Sequence, residues 1–595
     1  MRIFLLIYLL FTPLVFFAQT MELDSSKIEI YNNVKTEELT VSQYVIEGDE
    51  LKALGPIYDF SFLKGRVPGL FTIPSIIVVN DVPMTINEVP FEDIESIQVI
   101  TGSHIFPMYE NITGEEVIIR VTTTAQAKNG VTVSYRVRMT SEYLGDYIVG
   151  GNIIEPVLDK GYVKSLNHHL SLLSKSDSSL FQVSYNRNNS DYNIWDEKRH
   201  RDRVNLNYAQ KLPSNLTLEL GGVWSDQSLG LEDKESGQGI YWKAELKYQA
   251  NEKFWTSIRT FGNNYNKYEK FTIPRHVEGF LRQDERSLEW QIGNQIEFEK
   301  FSISTSGIVG FKTQADLDQE DEKNNKPYAL GVVETLINKR MLLKVVGAYE
   351  KNRNFEEANF DTPFSYSAQA TYRLISKRND VYKLFPYLTY SQVARMGDHF
   401  KNKNIEFGLN GKFLNDLIQL KGIYRKSKFN MFYDSEGLTS SLYQSPWNYK
   451  TIGVSLGAVV YKSGTWLCNA NVNYSNGGSL QQPDNHSNDD DYSLQRTTVL
   501  YEKENPFTKM VSMVSTLSNG SFMFSIDVGT YEYLQAFDNY SVSQIRNVSV
   551  GYRLDDIIKG QGSIEGNIFA RNIDLSGNDG KIYPFYGASI ALRSR

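Results

Sequence analysis

VTVSYRVRMT, Val131 to Thr140, is the stretch from which the fold can be read. Val131, Val133, Tyr135, Val137 and Met139 are apolar, and Thr132, Ser134, Arg136, Arg138 and Thr140 between them are polar. Successive side chains of a strand point to opposite faces, so a period of two collects the apolar groups on one side. The same alternation returns in Leu216, Leu218 and Leu220 against Thr217 and Glu219, and in Trp242, Ala244, Leu246 and Tyr248 against Lys243, Glu245, Lys247 and Gln249. It returns again in Trp466, Cys468, Ala470 and Val472 against Asn469, Asn471 and Asn473, and in Phe522, Phe524, Ile526 and Val528 against Ser525 and Asp527. On the order of 22 such segments fill residues 126 to 595, separated by turn clusters such as SDSS, LPSN, NEK, LINKR, SNGG and LSNG.

A soluble sandwich shares this alternation, so length and ring placement decide. The segments reach about ten residues, enough for a tilted strand to cross a bilayer. Many carry Tyr, Phe or Trp near one end, where interfacial girdles form. Aromatic residues make up 13% of the chain, with 37 Tyr and 32 Phe. Lipid offers no hydrogen bonds to an open strand edge, so the sheet is expected to close on itself. A closed sheet of about 22 strands encloses a wide lumen that leaks unless it is filled.

Three strand-like runs precede the repetitive region: IIVVNDVP (Ile76 to Pro83), FEDIESIQVITG (Phe91 to Gly102) and EEVIIRVTTT (Glu115 to Thr124). They form the natural stopper. The expectation is therefore an all-β transmembrane barrel of about 22 antiparallel strands over residues 126–595, with a small N-terminal α+β plug domain over residues 41–125 inside its lumen. About 21 residues are then available per strand and connection, so most outer loops are brief.

Residues 1–18 read as a signal peptide: Arg2 supplies the positive region, Ile3 to Phe17 the apolar run, and Ala18 the cleavage point before Gln19. The outer membrane of a bacterial cell is the destination this implies for a multi-pass barrel. A single cysteine, Cys468, excludes an intrachain disulfide. The net charge of −8, with no basic stripe, argues against nucleic acid as a partner.

The segments FLKGRVPGL (Phe62 to Leu70), IIVVNDVPM (Ile76 to Met84), VPFEDIESIQVITGS (Val89 to Ser103) and EEVIIRVTT (Glu115 to Thr123) resemble, in order and spacing, the plug of TonB-linked outer-membrane receptors of the SusC/RagA type of the Bacteroidota. The residues carrying the resemblance are Gly65, Arg66, Pro68, Gly69, Asp81, Pro83, Ile94, Glu95, Ile97, Val99, Val117 and Ile119. Asn80 and Asp81 stand where that family's turn has Asp-Gly, and Glu110 follows Tyr109 where it has Gly. At the other end SQIRNVSVGYRL (Ser543 to Leu554), IFARNIDL (Ile568 to Leu575) and YPFYGASIALR (Tyr583 to Arg593) are similar to the family's closing strands.

The resemblance implies a plug-gated receptor that takes up an extracellular nutrient of the oligosaccharide or peptide class. It also implies two protein partners, a SusD-type surface lipoprotein as lid and the TonB complex as the source of energy. Residues 19–40 contain no clear Ton box. The alternative is a plugged barrel that does not transport and serves as scaffold or partner in an outer-membrane lipoprotein or secretion and assembly complex.

Nothing in the sequence calls for an enzyme, a cofactor or a metal. His168 and His169 are adjacent, and neighbours on a strand point to opposite faces. The acidic stretches Gln481 to Tyr492 and Ala315 to Asn325 lack EF-hand spacing and read as solvated loops, the first of them the better placed to face outward. Trp195, Tyr443, Trp447 and Tyr474 lie near segment ends, where their rings are candidates for ligand contact. The competing reading places those rings in the interfacial girdle.

Overall fold

A computed structural model of the chain describes residues 43–47, 50–51, 54, 60–63, 65–70, 76–85, 89–100, 117–123, 129–143, 148–149, 152–153, 162–192, 197–229, 236–251, 253–271, 277–316, 323–338, 340–350, 364–375, 382–395, 400–414, 417–433, 443–463, 465–477, 507–534, 539–555, 562–574 and 585–594. The signal-peptide and Ton-box stretches, 1–18 and 19–40, lie outside the described residues.

From Gly130–Tyr143 to Phe585–Ser594 the barrel strands pair antiparallel in chain order and the last pairs with the first to close the barrel, while Ile148–Val149 and Asn152–Ile153 form a separate pair. Phe364–Tyr372 and Leu374–Ile375 belong to one strand, which makes 22 among the described residues. The gap between them has a chemical cause. The register runs from Thr371↔Tyr387 to Leu374↔Leu384, which sets Tyr372 opposite Pro386, and proline has no N–H to give the ladder.

The alternation sorts the wall as the sequence requires. In Val277–Glu297, Leu288 and Trp290 are 56% and 54% exposed on the outer face, while Glu289 and Gln291 are buried on the inner one. Val131, Val133, Tyr135 and Met139 are likewise exposed outward. Among the described residues no helix is long and apolar enough to cross a membrane. Rings gather at both rims: Phe298 stacks on Phe301 at 4.4 Å and Trp466 lies 5.9 Å from Phe522 at one, and Tyr349 meets Phe364 at 5.0 Å at the other.

Short turns, such as 176–178, 213–215 and 519–521, alternate with longer connections, such as 351–363 and 478–506. Barrels of this kind keep short turns on the periplasmic side and longer loops outside. Both ends of the barrel, Gly130 and Ser594, lie at the short-turn rim.

A separate five-stranded sheet precedes the barrel. Its strands are β1 (Gln43–Glu47), β2 (Ile76–Val79), β3 (Val82–Thr85), β4 (Ser96–Ile100) and β5 (Ile118–Thr122), in the order β1-β4-β5-β2-β3. β2 and β3 form a hairpin whose two loop residues, Asn80 and Asp81, both have positive φ, 47° and 66°. That is the turn matched to strand twist, and Asn and Asp tolerate it where most residues do not. Pro83 sits on edge strand β3, where a missing donor does least harm. The sheet packs around Ile97, Val99 and Ile119, with Ile94 and Val117 against this core. It also touches inward-facing residues on strands from opposite sides of the barrel, so it sits in the lumen as a plug.

Candidate gating site: the plug and its seats in the wall

Both polar and apolar contacts seat the plug in the wall. The first polar contact is made by the loop Gly65–Gly69. Gly65 and Gly69 adopt φ of 98° and 76°, values open to glycine and strained for other residues, and the tight loop presents its backbone to three consecutive wall strands. The Gly65 carbonyl accepts from Asn473 Nδ2 at 2.8 Å and from Ser512 Oγ. The Gly69 N–H donates to Ser475 Oγ at 2.8 Å. Gly453 leaves the room this needs, since a Cβ there would lie 3.0 Å from both the Gly69 nitrogen and the Pro68 Cβ.

Arg66, fully buried, projects from the same loop. Its Nη2 donates to Ser525 Oγ at 3.3 Å, and its guanidinium lies 3.8 Å from Asp527 of the wall and 3.6 Å from Glu50 of the plug. Burial pushes the Glu50 carboxyl up, outweighing the opposing pull of Arg66, the Tyr44 hydrogen bond and Lys421. The Tyr44 hydroxyl beside it is raised by burial and by the Glu50 charge.

The second contact is the Asn80–Asp81 hairpin turn. Asn80 Nδ2 donates to Thr123 Oγ1 at 2.7 Å and to Asn207 Oδ1 of the wall at 2.8 Å, while its Oδ1 accepts from the Thr123 N–H at 3.0 Å. Asp81 is bonded to Arg120 at 2.8 Å and faces wall Lys243 at 3.5 Å, which in turn lies 3.1 Å from Glu219 and 3.4 Å from Glu245. Burial alone would raise the Asp81 carboxyl, but Lys243, Arg120 and Arg259 outweigh it and hold it well below the usual carboxylate range.

Asp93 makes the third. Its carboxylate meets His169 Nε2 at 3.2 Å and accepts from Asn205 Nδ2 at 3.1 Å and from Ser184 Oγ. Against its burial, the His169 charge and these donors pull its carboxyl down. His168, one residue away, points outward to Tyr135 Oη at 2.8 Å, so the two histidines are on opposite faces. Apolar contacts complete the seating: Val78, Ile100 and Ile118 of the plug pack on Trp255, Tyr328 and Leu330 and their neighbours in the wall, and the plug core around Ile97 and Val99 is joined by wall Val223 and Tyr241.

The residues singled out in the sequence fall unevenly onto this map. Gly65, Arg66, Pro68, Gly69 and Asp81 are in the contacts, and Ile97, Val99 and Ile119 form the plug core. Glu95 is exposed, with its N–H bonded to the Thr122 carbonyl. Of the ligand candidates, Trp195 lies outside the described residues, as do the side chains of Tyr443 and Trp447. Tyr474 shares the outward row with exposed Val472, opposite to Asn473 and Ser475, and so faces away from the lumen. The acidic stretch Gln481 to Tyr492 and most of Ala315 to Asn325 lie outside the described residues. The wall partners Asn207, Lys243, Gly453 and Asp527 carry no mark in the sequence, because each is one inward polar or small residue among dozens, and His169 is marked there only by its neighbour His168.

No family model matches the sequence, and no curated protein does. The solved structures do. The RagAB peptide importer in its open-open state has a TM-score of 0.72 at 9% identity, over 93% of this chain and 98% of that one. The fold is that of the TonB-dependent outer-membrane receptors. The siderophore receptor PirA from Pseudomonas aeruginosa has this receptor fold with a TM-score of 0.64 at 12% identity, over 93% of this chain and 99% of that one. PirA from Acinetobacter baumannii has it at 0.66 and 11%, over 95% and 100%. The receptor fold and its closed, outwardly apolar wall make the chain a multi-pass β-barrel of the outer membrane.

Proposed function

We propose that the chain is a plug-gated receptor and importer for an extracellular nutrient of the oligosaccharide or peptide class, working beneath a SusD-type lipoprotein and drawing on the TonB complex. The observation that carries this reading is the polar seating of the plug. A stopper meant to stay would merge its core with the wall all round, whereas apolar contact here is local, at Val223 and Tyr241 and around Trp255 and Tyr328. Here the Gly65–Gly69 loop, the Asn80–Asp81 turn and Asp93 are held through hydrogen bonds and ion pairs that water can replace. The peptide-importer architecture of RagAB supports the lipoprotein partner and the substrate class.

A disulfide staple tests it. The Cβ built at Gly453 lies 3.0 Å from that of Pro68, close enough for a P68C/G453C pair to bridge after slight adjustment. Oxidised cells should lose uptake and growth on the nutrient, and reduction should restore both. Growth that ignores the staple would instead favour a non-transporting scaffold. Capture of secretion or assembly components, in place of a SusD-type lipoprotein, from solubilised outer membrane would point the same way.

A further inference from the structure

The outer wall carries a group of lysines that the gating site does not use. Lys403 on Phe400–Phe413, Lys426 on Ile418–Tyr433 and Lys450 on Tyr443–Ser463 are exposed and lie on the outward rows, in line with exposed Ile405, Phe407, Tyr424, Ile452 and Val454. Lys426 is paired directly opposite Lys450. Directly opposed Cβ atoms are about 4.5–5.5 Å apart, and like charges so placed repel.

Two other outward cations have carboxylate partners. Arg187 lies 3.9 Å from Asp202, and Arg286 lies 2.9 Å from Asp284. Among the described residues Lys403, Lys426 and Lys450 pair with no carboxylate. All three lie on the side of the apolar belt that faces the longer connections, with the ring of Tyr424 next below Lys426. At that depth the outer-leaflet headgroups meet the wall. Adjacent cations there, resting on apolar surface, suit an anionic headgroup above acyl chains.

We propose that Lys403, Lys426 and Lys450 form a binding site for the phosphorylated headgroup of an outer-leaflet glycolipid. The lysines supply the charge that the phosphate neutralises, and the apolar row beneath receives the acyl chains. Lipid capture there relieves the repulsion between Lys426 and Lys450.

Native mass spectrometry of the full chain in detergent tests this with diphosphoryl lipid A as the probe. The wild type should retain lipid A, retain the dephosphorylated glycolipid at least tenfold less, and lose no lipid A to millimolar inorganic phosphate. The K403Q/K426Q/K450Q variant should lose at least tenfold in retention, while Arg187→Gln on the far wall should match the wild type. Equal retention of the dephosphorylated lipid, displacement by inorganic phosphate, unchanged retention in the triple variant, or an equal loss in Arg187→Gln would each overturn the proposal. Should the triple variant fail to insert, the dephosphorylation and phosphate arms on the wild type decide alone.

Discussion

The plug touches its barrel in two different ways. Toward the strands near Trp255 and Tyr328 it is apolar, with Val78, Ile100 and Ile118 buried against the wall. Toward His169, Asn207 and Lys243 on one flank, and Gly453, Asn473 and Asp527 on another, it is mainly polar and charged, with wall Val223 and Tyr241 joining the plug core beside Lys243. Apolar burial is non-directional and survives small slips, whereas a buried ion pair depends on geometry and fails abruptly when one partner leaves. The apolar face therefore acts as the bearing, and the polar contacts act as catches.

The largest effect should come from removing a catch by halves. Asp527→Ala leaves Arg66 buried beside Ser525 with Glu50 as its remaining carboxylate, so the cost is at most the ~3–5 kcal/mol of breaking a buried pair. Its plug should be cut by protease at concentrations that leave the wild type intact. The bearing should be damaged less abruptly. Ile118→Ala removes buried methyl groups, a change worth about 2–4 kcal/mol in a packed core. It should lower the thermal midpoint while leaving the plug seated at neutral pH.

Acid separates the two kinds of contact. Asp81 and Asp93 have carboxyls depressed in the folded state, so the undocked chain binds more protons as pH falls. Their contribution is complete above the ordinary aspartate value of about 3.9 and is lost progressively as pH drops below it toward the depressed folded values. Glu50 runs the other way: its raised carboxyl contributes at low pH and fades as pH climbs through the raised value. Hydrogen exchange should thus show β2, β3 and the Asp93 turn opening on acidification below about pH 4, with β1 lagging behind. Asp93→Asn should blunt that opening. The smallest effect is expected at Tyr474, whose outward ring should tolerate Tyr474→Phe with no change in uptake.

The barrel was legible because membrane crossing imposes a period of two on every segment, and the exposure of Val131, Val133 and Met139 is what that period demands. The plug strands were legible from short β-branched runs, and the resemblance singled out Gly65–Gly69 and Asp81. What those residues hold was hidden by distance. The Arg66–Ser525 bond joins positions 459 apart in the chain, and no local pattern marks Asp527 or Gly453 as its surroundings. Facing direction was the other gap. Tyr474 near a segment end is as suitable for ligand as for lipid until its register against Val454 and Val511 fixes the side. Irregularities at Val459/Tyr461 and Asp527/Val528 shift that register by a residue, which a reading by alternation alone does not see.

Planar-bilayer conductance tests the central claim most directly, that a sheet seated by breakable contacts stoppers an otherwise open cylinder. The wild-type chain should insert and stay closed, and Gly453→Trp, which fills the space taken by Pro68 and Gly69, should give a persistent large pore. A wild type that conducts like an unobstructed barrel, or a Gly453→Trp variant as tight as the wild type, would contradict it.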